Sequence, residues 1–274
     1  MLKQRLLTAI VLVAVFLVGI LWLPPVWFLA CVAAVILQGA WEWTRLAGIV
    51  RARARLAYVA LVLVALPLLY MQEEYGRRMI LVAGCLWWVY AYFLVRRYPS
   101  LGALWESSWL RGVAGLLVLL PGWSALVALR GSGEHVALIL LLLGMVAAAD
   151  IGAYFSGRAF GRHKLAPLVS PNKTWEGFAG GMLCTCLVAV AFVLTTEMGS
   201  SPSPVLLLEV LAAALSVAVV SVVGDLFESM VKRMAGVKDS GSLLPGHGGV
   251  LDRIDSITAA LPLFTITLSW FADT

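Results

Sequence analysis

Three aspartates near the C-terminal end of the chain have the residue type and the spacing of metal ligands. Asp252 and Asp255 are three residues apart, so a helix would carry both carboxylates on one face. Ser229 and Lys232 follow Asp225 by four and seven residues, so these three side chains also share a helix face. Carboxylates at the edge of an apolar medium repel one another, and a divalent cation removes that repulsion. The spacing therefore predicts a metal site formed by Asp225, Asp252 and Asp255.

Basic residues lie in the same segment as these aspartates. Lys232, Arg233, Lys238 and Arg253 carry cations suited to phosphate groups, and Gly236 is expected to end the helix that carries the first two. Mg²⁺ prefers one or two protein carboxylates together with waters and substrate phosphates, and the segment holds no Cys or His cluster that would favour zinc. Oxygen ligands and cations in this combination are typical of metal-assisted phosphoryl or nucleotidyl transfer.

A glycine-rich loop lies between the basic residues and the last two aspartates. Gly246, Gly248 and Gly249 allow the backbone to approach an anion closely, and its amides are then available to phosphate oxygens. His247 lies in the same loop, and as a lone histidine it is expected to form a hydrogen bond within the loop rather than to bind a metal. The loop is therefore a candidate phosphate-binding site.

The rest of the chain is an apolar frame for these residues. It is 62% hydrophobic and 13% charged, whereas a soluble domain has about 25% charged residues. This composition excludes a disordered chain and indicates an integral membrane protein whose surface mostly faces lipid. The net charge of +5 comes without the interleaving of basic and aromatic residues typical of nucleic-acid binding, so no nucleic-acid partner is expected.

Apolar segments of sufficient length predict an all-α polytopic membrane protein with about nine transmembrane helices. The first uncharged run, residues 6–41, is too long for one span and is divided by Pro24 and Pro25. With the N-terminus in the cytoplasm and the C-terminus outside, every Lys and Arg except Arg77, Arg78 and Arg130 falls on the cytoplasmic side, as the positive-inside rule requires. Tryptophans near the predicted span ends are expected to be interfacial anchors: Trp22, Trp27, Trp41, Trp43, Trp105, Trp109 and Trp270.

The two halves of the chain differ in polar content. Residues 1–130 supply five spans and few polar side chains apart from Glu42 and the arginines around Arg51. Residues 131–274 supply four spans and the cytoplasmic loops 156–177 and 229–255. Asp150 lies about one turn inside its span, where an ionised carboxylate is costly unless it faces a cavity, a partner or an ion. The C-terminal half is therefore expected to be the catalytic region.

The motifs of this half resemble those of a known family. Residues 229–255 read SMVKRMAGVKDSGSLLPGHGGVLDRID and resemble the complete signature of the phosphatidate cytidylyltransferases, or CDP-diacylglycerol synthases. Upstream, DIGAYFSGR from Asp150 and SPNKTWEG from Ser170 resemble that family's second motif region. The matches extend from about Asp150 to Asp255, whereas the first five spans are similar to the family only in being apolar helices.

The resemblance implies an integral membrane enzyme that joins CTP and phosphatidic acid to give CDP-diacylglycerol and pyrophosphate. It also implies Mg²⁺ as cofactor, alone or with a second cation, and a homodimer. The family's metal site falls on Asp225, Asp252 and Asp255. The other catalytic candidates are Lys232, Arg233, Lys238, Asp239, His247 and Arg253, and the substrate-binding candidates are Asp150, Lys173, Ser229, Gly248 and Gly249. For Lys173, a lysine that only sets membrane topology is the alternative.

Other classes of protein remain open from the residues alone. An ion-coupled transporter would use Asp150, Asp225 and Glu228 as an ion relay. A CTP-dependent lipid kinase would transfer the γ-phosphate instead of the cytidylyl group, and a membrane scaffold would have no activity. In a bacterium, the enzyme is expected in the cell inner membrane with its active site on the cytoplasmic side.

Overall fold

The computed structural model describes residues 2–100, 103–195 and 203–273, and these form nine long helices with short connections. The helices are α1 (Leu2–Trp22), α2 (Pro25–Leu46), α3 (Ala52–Tyr70), α4 (Glu74–Arg97), α5 (Ser108–Gly131), α6 (His135–Phe160), α7 (Trp175–Thr195), α8 (Pro204–Met234) and α9 (Leu251–Asp273). Among the described residues, seven helices, α2 to α8, are long and apolar enough to cross a membrane. The chain is therefore an integral membrane protein built mainly of helices.

Local sequence explains where several helices begin and end. Pro25 occupies the first turn of α2, where its missing N–H costs nothing, and Pro24 is extended, which separates α1 from α2. Ser203 caps α8 by accepting a hydrogen bond from the Leu206 amide at 3.1 Å. Gly236 has a φ of +68°, just after the end of α8, as predicted.

Helix α5 is the centre of the bundle, and it packs against α2, α3, α4 and α9. Polar side chains of its neighbours donate to its backbone. The Trp43 indole lies 2.7 Å from the Arg111 carbonyl and the Tyr58 hydroxyl 2.9 Å from the Gly112 carbonyl. Inside an apolar bundle such donors need a protein partner. These bonds fix α2 and α3 against α5, and the hydrophobic core extends through both halves of the chain.

An aromatic cluster surrounds Phe227 of α8. Trp43 stacks on this ring, with centroids 6.3 Å apart, and Trp87, Trp88 and Trp105 approach it at steep angles. Trp43 and Trp105 are only 1% and 6% exposed, so their predicted role as interfacial anchors is wrong. Both side chains belong to the core. The prediction failed because the distance of a residue from a span end does not indicate which side of the helix faces the bundle.

Small residues allow α6 and α7 to pack closely. A methyl group on Gly152 would come within 2.6 Å of the Gly180 carbonyl oxygen, and one on Gly181 within 2.6 Å of the Ala149 carbonyl oxygen. The Thr185 hydroxyl donates to the Met145 carbonyl across the same contact, at 3.2 Å. Close approach of backbones is a common means of helix association in membranes.

The connection between α6 and α7 contains a short antiparallel hairpin, which the all-helical prediction did not include. Strand β1 (Lys164–Ala166) pairs with β2 (Ser170–Thr174). Glu176, in the first turn of α7, accepts hydrogen bonds from the Arg162 and His163 amides at 3.1 and 3.2 Å. The hairpin is thereby fixed to the start of α7, in the region predicted as the loop 156–177.

Replacement of Gly181 by alanine tests the close contact of α6 and α7. The new methyl group meets backbone, which cannot move without separating the helices, so Gly181→Ala should destabilise the protein by about 1–3 kcal/mol. Gly131→Ala is the matched control, since nothing lies within 4 Å of a methyl group there. The measurement is the thermal midpoint of each variant in detergent. Equal midpoints would contradict the packing described.

Candidate active site

The candidate site forms where α8 and α9 cross. A methyl group on Gly224 would come within 2.6 Å of both the Asp255 carbonyl oxygen and the Ala259 side chain, so only glycine permits this approach. The contact places Asp225 beside Asp255, close enough for the two carboxylates to repel each other. Asp255 accepts a hydrogen bond from the Ser256 amide at 2.7 Å. Two of the three predicted metal ligands therefore lie together.

Lys173 of the hairpin reaches across to α8. Its amine lies 2.5 Å from Asp225 Oδ2, and the Ser229 hydroxyl donates to Asp225 Oδ1 at 3.2 Å. The predicted helical face of Asp225 and Ser229 is thus confirmed. Asp150 of α6 is exposed and interacts electrostatically with both Lys173 and Asp225. The hairpin therefore brings the upstream motif to the acids of α8.

Lys232 is the second cation at this crossing. Its amine lies 2.6 Å from Asp252 Oδ1 and 3.3 Å from Glu228 Oε1. The three side chains are 12%, 6% and 4% exposed, respectively, so little water screens their charges. Removal of one partner from such a buried group leaves an uncompensated charge and is strongly destabilising. Lys232 therefore joins the end of α8 to the start of α9.

Asp252 also organises the loop that precedes α9. Its Oδ2 accepts hydrogen bonds from the Ser240 amide and hydroxyl, both at 2.9 Å, and from the Gly249 amide at 2.8 Å. Gly248 has a φ of +82°, and a methyl group there would come within 2.6 Å of the same oxygen. The Gly249 amide is thus used inside the loop. To bind a metal, Asp252 would have to give up hydrogen bonds or the ion pair that it makes in this structure.

Glu42 is a member of the site that the motif analysis did not assign. It lies on α2, is 4% exposed, and accepts hydrogen bonds from the Val250 and Leu251 amides and from the Ser240 hydroxyl, each at 3.0 Å. The sequence does show an acid at the end of an apolar run. Its partners cannot be found from spacing, because they lie about two hundred residues further along the chain.

A cavity of about 650 Å³ opens beside this loop. Lys238, Asp239 and Arg253 line it with exposed charged side chains, and the Leu244–Gly248 turn closes one side with a hydrogen bond of 2.9 Å between amide and carbonyl. The volume is in the range of small-molecule sites. The full lining comprises Lys238, Asp239, Gly241, Ser242, Leu244, Pro245, Gly246, His247, Gly248 and Arg253.

Arg233 does not join the other candidates. Its guanidinium Nε donates to the Val169 carbonyl at 3.4 Å, so the side chain lies against the hairpin. Lys232, one residue earlier on α8, faces α9. The sequence cannot distinguish these two adjacent cations, but the helix turns by about 100° between them and sends them to different neighbours.

The charges of the site favour a divalent cation. Five carboxylates interact with three cations at the crossing: Asp150, Asp225, Glu228, Asp252 and Asp255 with Lys173, Lys232 and Arg253. Glu42, which shares the Ser240 hydroxyl with Asp252, adds a sixth acid, so carboxylates outnumber cations. Among the described residues, no group of three or more His, Cys, Asp or Glu is arranged to hold a metal by itself. Mg²⁺ needs only one or two protein carboxylates when substrate phosphates complete its shell. Asp225 and Asp255 would fit that requirement if Asp225 exchanged its contact with Lys173 for the cation.

These features define a class of protein: an integral membrane protein with a polar site suited to phosphate groups at one end of its helices. Comparison with known proteins supplies the family. The model of the cytidylyltransferase family matches residues 3–271, so the chain belongs to that family.

Curated relatives cover almost the whole chain. A phosphatidate cytidylyltransferase of Pseudomonas aeruginosa is 47% identical over 272 residues, which is 99% of this chain and 98% of the relative. One from Haemophilus influenzae is 40% identical over 292 residues, covering 97% and 98%, respectively. One from Brucella suis is 39% identical over 285 residues, covering 99% and 95%. The resemblance found in the motifs therefore extends to the N-terminal helices.

Substitution of Lys173 tests whether its ion pair fixes the hairpin to α8. Lys173→Met removes a short, partly shielded pair and should accelerate amide hydrogen exchange in residues 164–174 by about five- to tenfold. Lys164→Met is the control, because Lys164 is exposed at the start of β1. Unchanged exchange in Lys173→Met, or equal acceleration in both variants, would show that the pair does not hold the hairpin.

Proposed function

We propose that this protein transfers the cytidylyl group of CTP to phosphatidic acid, giving CDP-diacylglycerol and pyrophosphate. The main structural support for this function is the cluster of acids where α8 and α9 cross, beside a cavity lined by the signature loop. The names of the curated relatives, each a phosphatidate cytidylyltransferase, support the same substrates. The family match extends over nearly all of the chain.

In the proposed reaction, a phosphate oxygen of the lipid attacks the α-phosphorus of CTP. The new P–O bond forms as the bond to the β-phosphate breaks, and pyrophosphate leaves with the electron pair. A phosphate monoester is already largely ionised near neutral pH, so no strong general base is needed. Catalysis then consists of alignment and charge neutralisation.

Residues of the site divide between the two substrates. Lys238 and Arg253 at the cavity bind the nucleotide phosphates, and the loop around His247 and Gly248 covers the nucleotide. Lys173 binds the lipid phosphate from the hairpin, which requires it to share its charge with Asp225. Lys232 keeps Asp252 and the loop in place. Arg233 acts through the hairpin, whose Val169 carbonyl it holds.

Asp225 and Asp255 are the carboxylates that we assign to Mg²⁺. Asp225 would bind it after release from Lys173, and the family's third aspartate, Asp252, only after release from Lys232. Bound Mg²⁺, alone or with a second cation, supplies neutralisation of the phosphate charge that accumulates during transfer. The excess of carboxylates over cations at the crossing supports this assignment. Asp150 interacts electrostatically with Asp225 and Lys173 and so belongs to the same group of charges.

The membrane arrangement is part of the proposal. Nine spans with a cytoplasmic N-terminus and an outer C-terminus leave only Arg77, Arg78 and Arg130 among the basic residues outside. This topology puts the site on the cytoplasmic side of the bacterial inner membrane, where CTP is made. The division into a supporting region, 1–130, and a catalytic region, 131–274, and the homodimer belong to the proposal as well.

The deciding experiment follows the label from CTP in a purified-protein assay with phosphatidic acid. CDP-diacylglycerol that carries the cytidine, forms together with pyrophosphate and disappears with chelator supports the proposal. A lipid that acquires the γ-phosphate would identify a CTP-dependent lipid kinase. Ion flux without consumption of CTP would identify a transporter.

Asp255→Asn tests the metal assignment within this reaction. Asparagine keeps the size and the acceptor for the Ser256 amide but removes the charge, so turnover should fall by about 100-fold or more, with a higher Mg²⁺ requirement. Glu209→Gln, at the opposite end of α8 from the site, is the matched acid-to-amide control and should keep wild-type turnover. Wild-type turnover and Mg²⁺ dependence in Asp255→Asn would remove this residue from the metal site.

A further inference from the structure

Four hydrogen-bond donors surround the carboxylate of Glu42, which lies far from the signature in sequence. Oε1 accepts from the Val250 amide at 3.0 Å and from Gln38 at 3.1 Å, and Oε2 accepts from the Leu251 amide and the Ser240 hydroxyl at 3.0 Å. The two amides belong to the start of α9, where backbone N–H groups have no partner within the helix and favour a negative charge. The carboxylate is thus a cap supplied by another helix.

The loop is shaped around this carboxylate. A methyl group on Gly241 would come within 2.6 Å of Glu42 Oε1, and one on Gly249 would collide with Glu42 Oε2 and the Ser240 hydroxyl. The loop therefore approaches Glu42 from both of its ends, before and after the turn that lines the cavity. A side chain at either position would collide with Glu42, which explains why glycine occupies both.

Ser240 connects Glu42 to the acids of the crossing. Its hydroxyl lies 3.0 Å from Glu42 Oε2 and 2.9 Å from Asp252 Oδ2. A hydroxyl has one proton and donates to one acceptor at a time, while the Ser240 amide donates to Asp252 at 2.9 Å. Asp252 in turn holds Lys232. A change at Glu42 therefore reaches Lys232 through three contacts, by way of Ser240 and Asp252.

The end of α2 that carries Glu42 is itself fixed. The neighbouring Trp43 donates its indole N–H to the Arg111 carbonyl of α5 at 2.7 Å and stacks on Phe227 of α8. The carboxylate therefore cannot follow the loop if the loop moves. Rigid placement of this kind is what a binding loop needs to keep its geometry when empty.

We propose that Glu42 is the positioning residue of the nucleotide loop: it holds residues 240–251 in the conformation that binds CTP. Glu42 touches neither substrate and acts through Ser240 and the start of α9. This role rests on the proposed function, since the loop is there assigned to CTP. It gives the first half of the chain a part in substrate binding beyond support of the fold.

Glu42→Gln is the decisive variant. Glutamine has the same size, but its NH₂ group replaces one of two oxygens that face N–H and O–H donors. We expect the KM for CTP to rise about tenfold, the KM for phosphatidic acid to stay unchanged, and amide exchange in residues 240–251 to accelerate. The thermal midpoint of the bundle should change little. Gln38→Leu is the control, since it removes one donor to Glu42 and leaves the contacts to the loop intact.

The outcomes separate positioning from mere stability. If Glu42→Gln has a wild-type KM for CTP and wild-type amide exchange in the loop, the proposal is overturned. A lowered thermal midpoint with a wild-type KM in the folded fraction also overturns it, because Glu42 would then only stabilise the fold. If Glu42→Gln does not fold, Glu42→Asp takes its place, because it keeps the charge but is too short to reach all the donors, and the same readouts apply. A wild-type protein that makes no CDP-diacylglycerol contradicts the proposed function, while loop exchange still tests Glu42.

Discussion

Lys173 and Lys232 hold together a group of carboxylates that would otherwise repel one another in a medium of low dielectric. Each lysine pairs with an acid on a different element: Lys173 of the hairpin with Asp225 of α8, and Lys232 of α8 with Asp252 of α9. Without these cations, the close contact of α8 and α9 at Gly224 would concentrate negative charge at one point. With them, carboxylates still outnumber cations, an excess that the proposed divalent cation would reduce.

The N-terminal helices are part of this arrangement. Helix α5 packs against α9 on one side and against α2 and α3 on the other, through donors such as Trp43 and Tyr58. The end of α2 is thereby placed under the signature loop, where Glu42 meets the start of α9. The motifs of the family lie in the second half of the chain, but their geometry depends on both halves.

Hydrophobic runs were sufficient to predict the helices, because a chain surrounded by lipid must satisfy its backbone within each span. The pairing of Asp225 with Ser229 followed from helical spacing alone. The hairpin at 164–174 could not be predicted, since its short strands show no alternation and depend on Glu176 of α7. Contacts between distant segments, such as Glu42 with Ser240 or Arg233 with Val169, cannot be predicted from the local spacing of residues. The motif predicts which residues matter, but only packing decides which of them face one another.

The proposed mechanism requires Asp225 and Asp255 to share one divalent cation beside the nucleotide. Anomalous scattering from Mn²⁺ in crystals of the wild-type protein, grown with a non-hydrolysable CTP analogue, measures this directly. We predict an anomalous peak between the two carboxylates and in contact with the nucleotide phosphates. Bound nucleotide with the peak at other residues, or with Asp225 and Asp255 directed away from the phosphates, would contradict it.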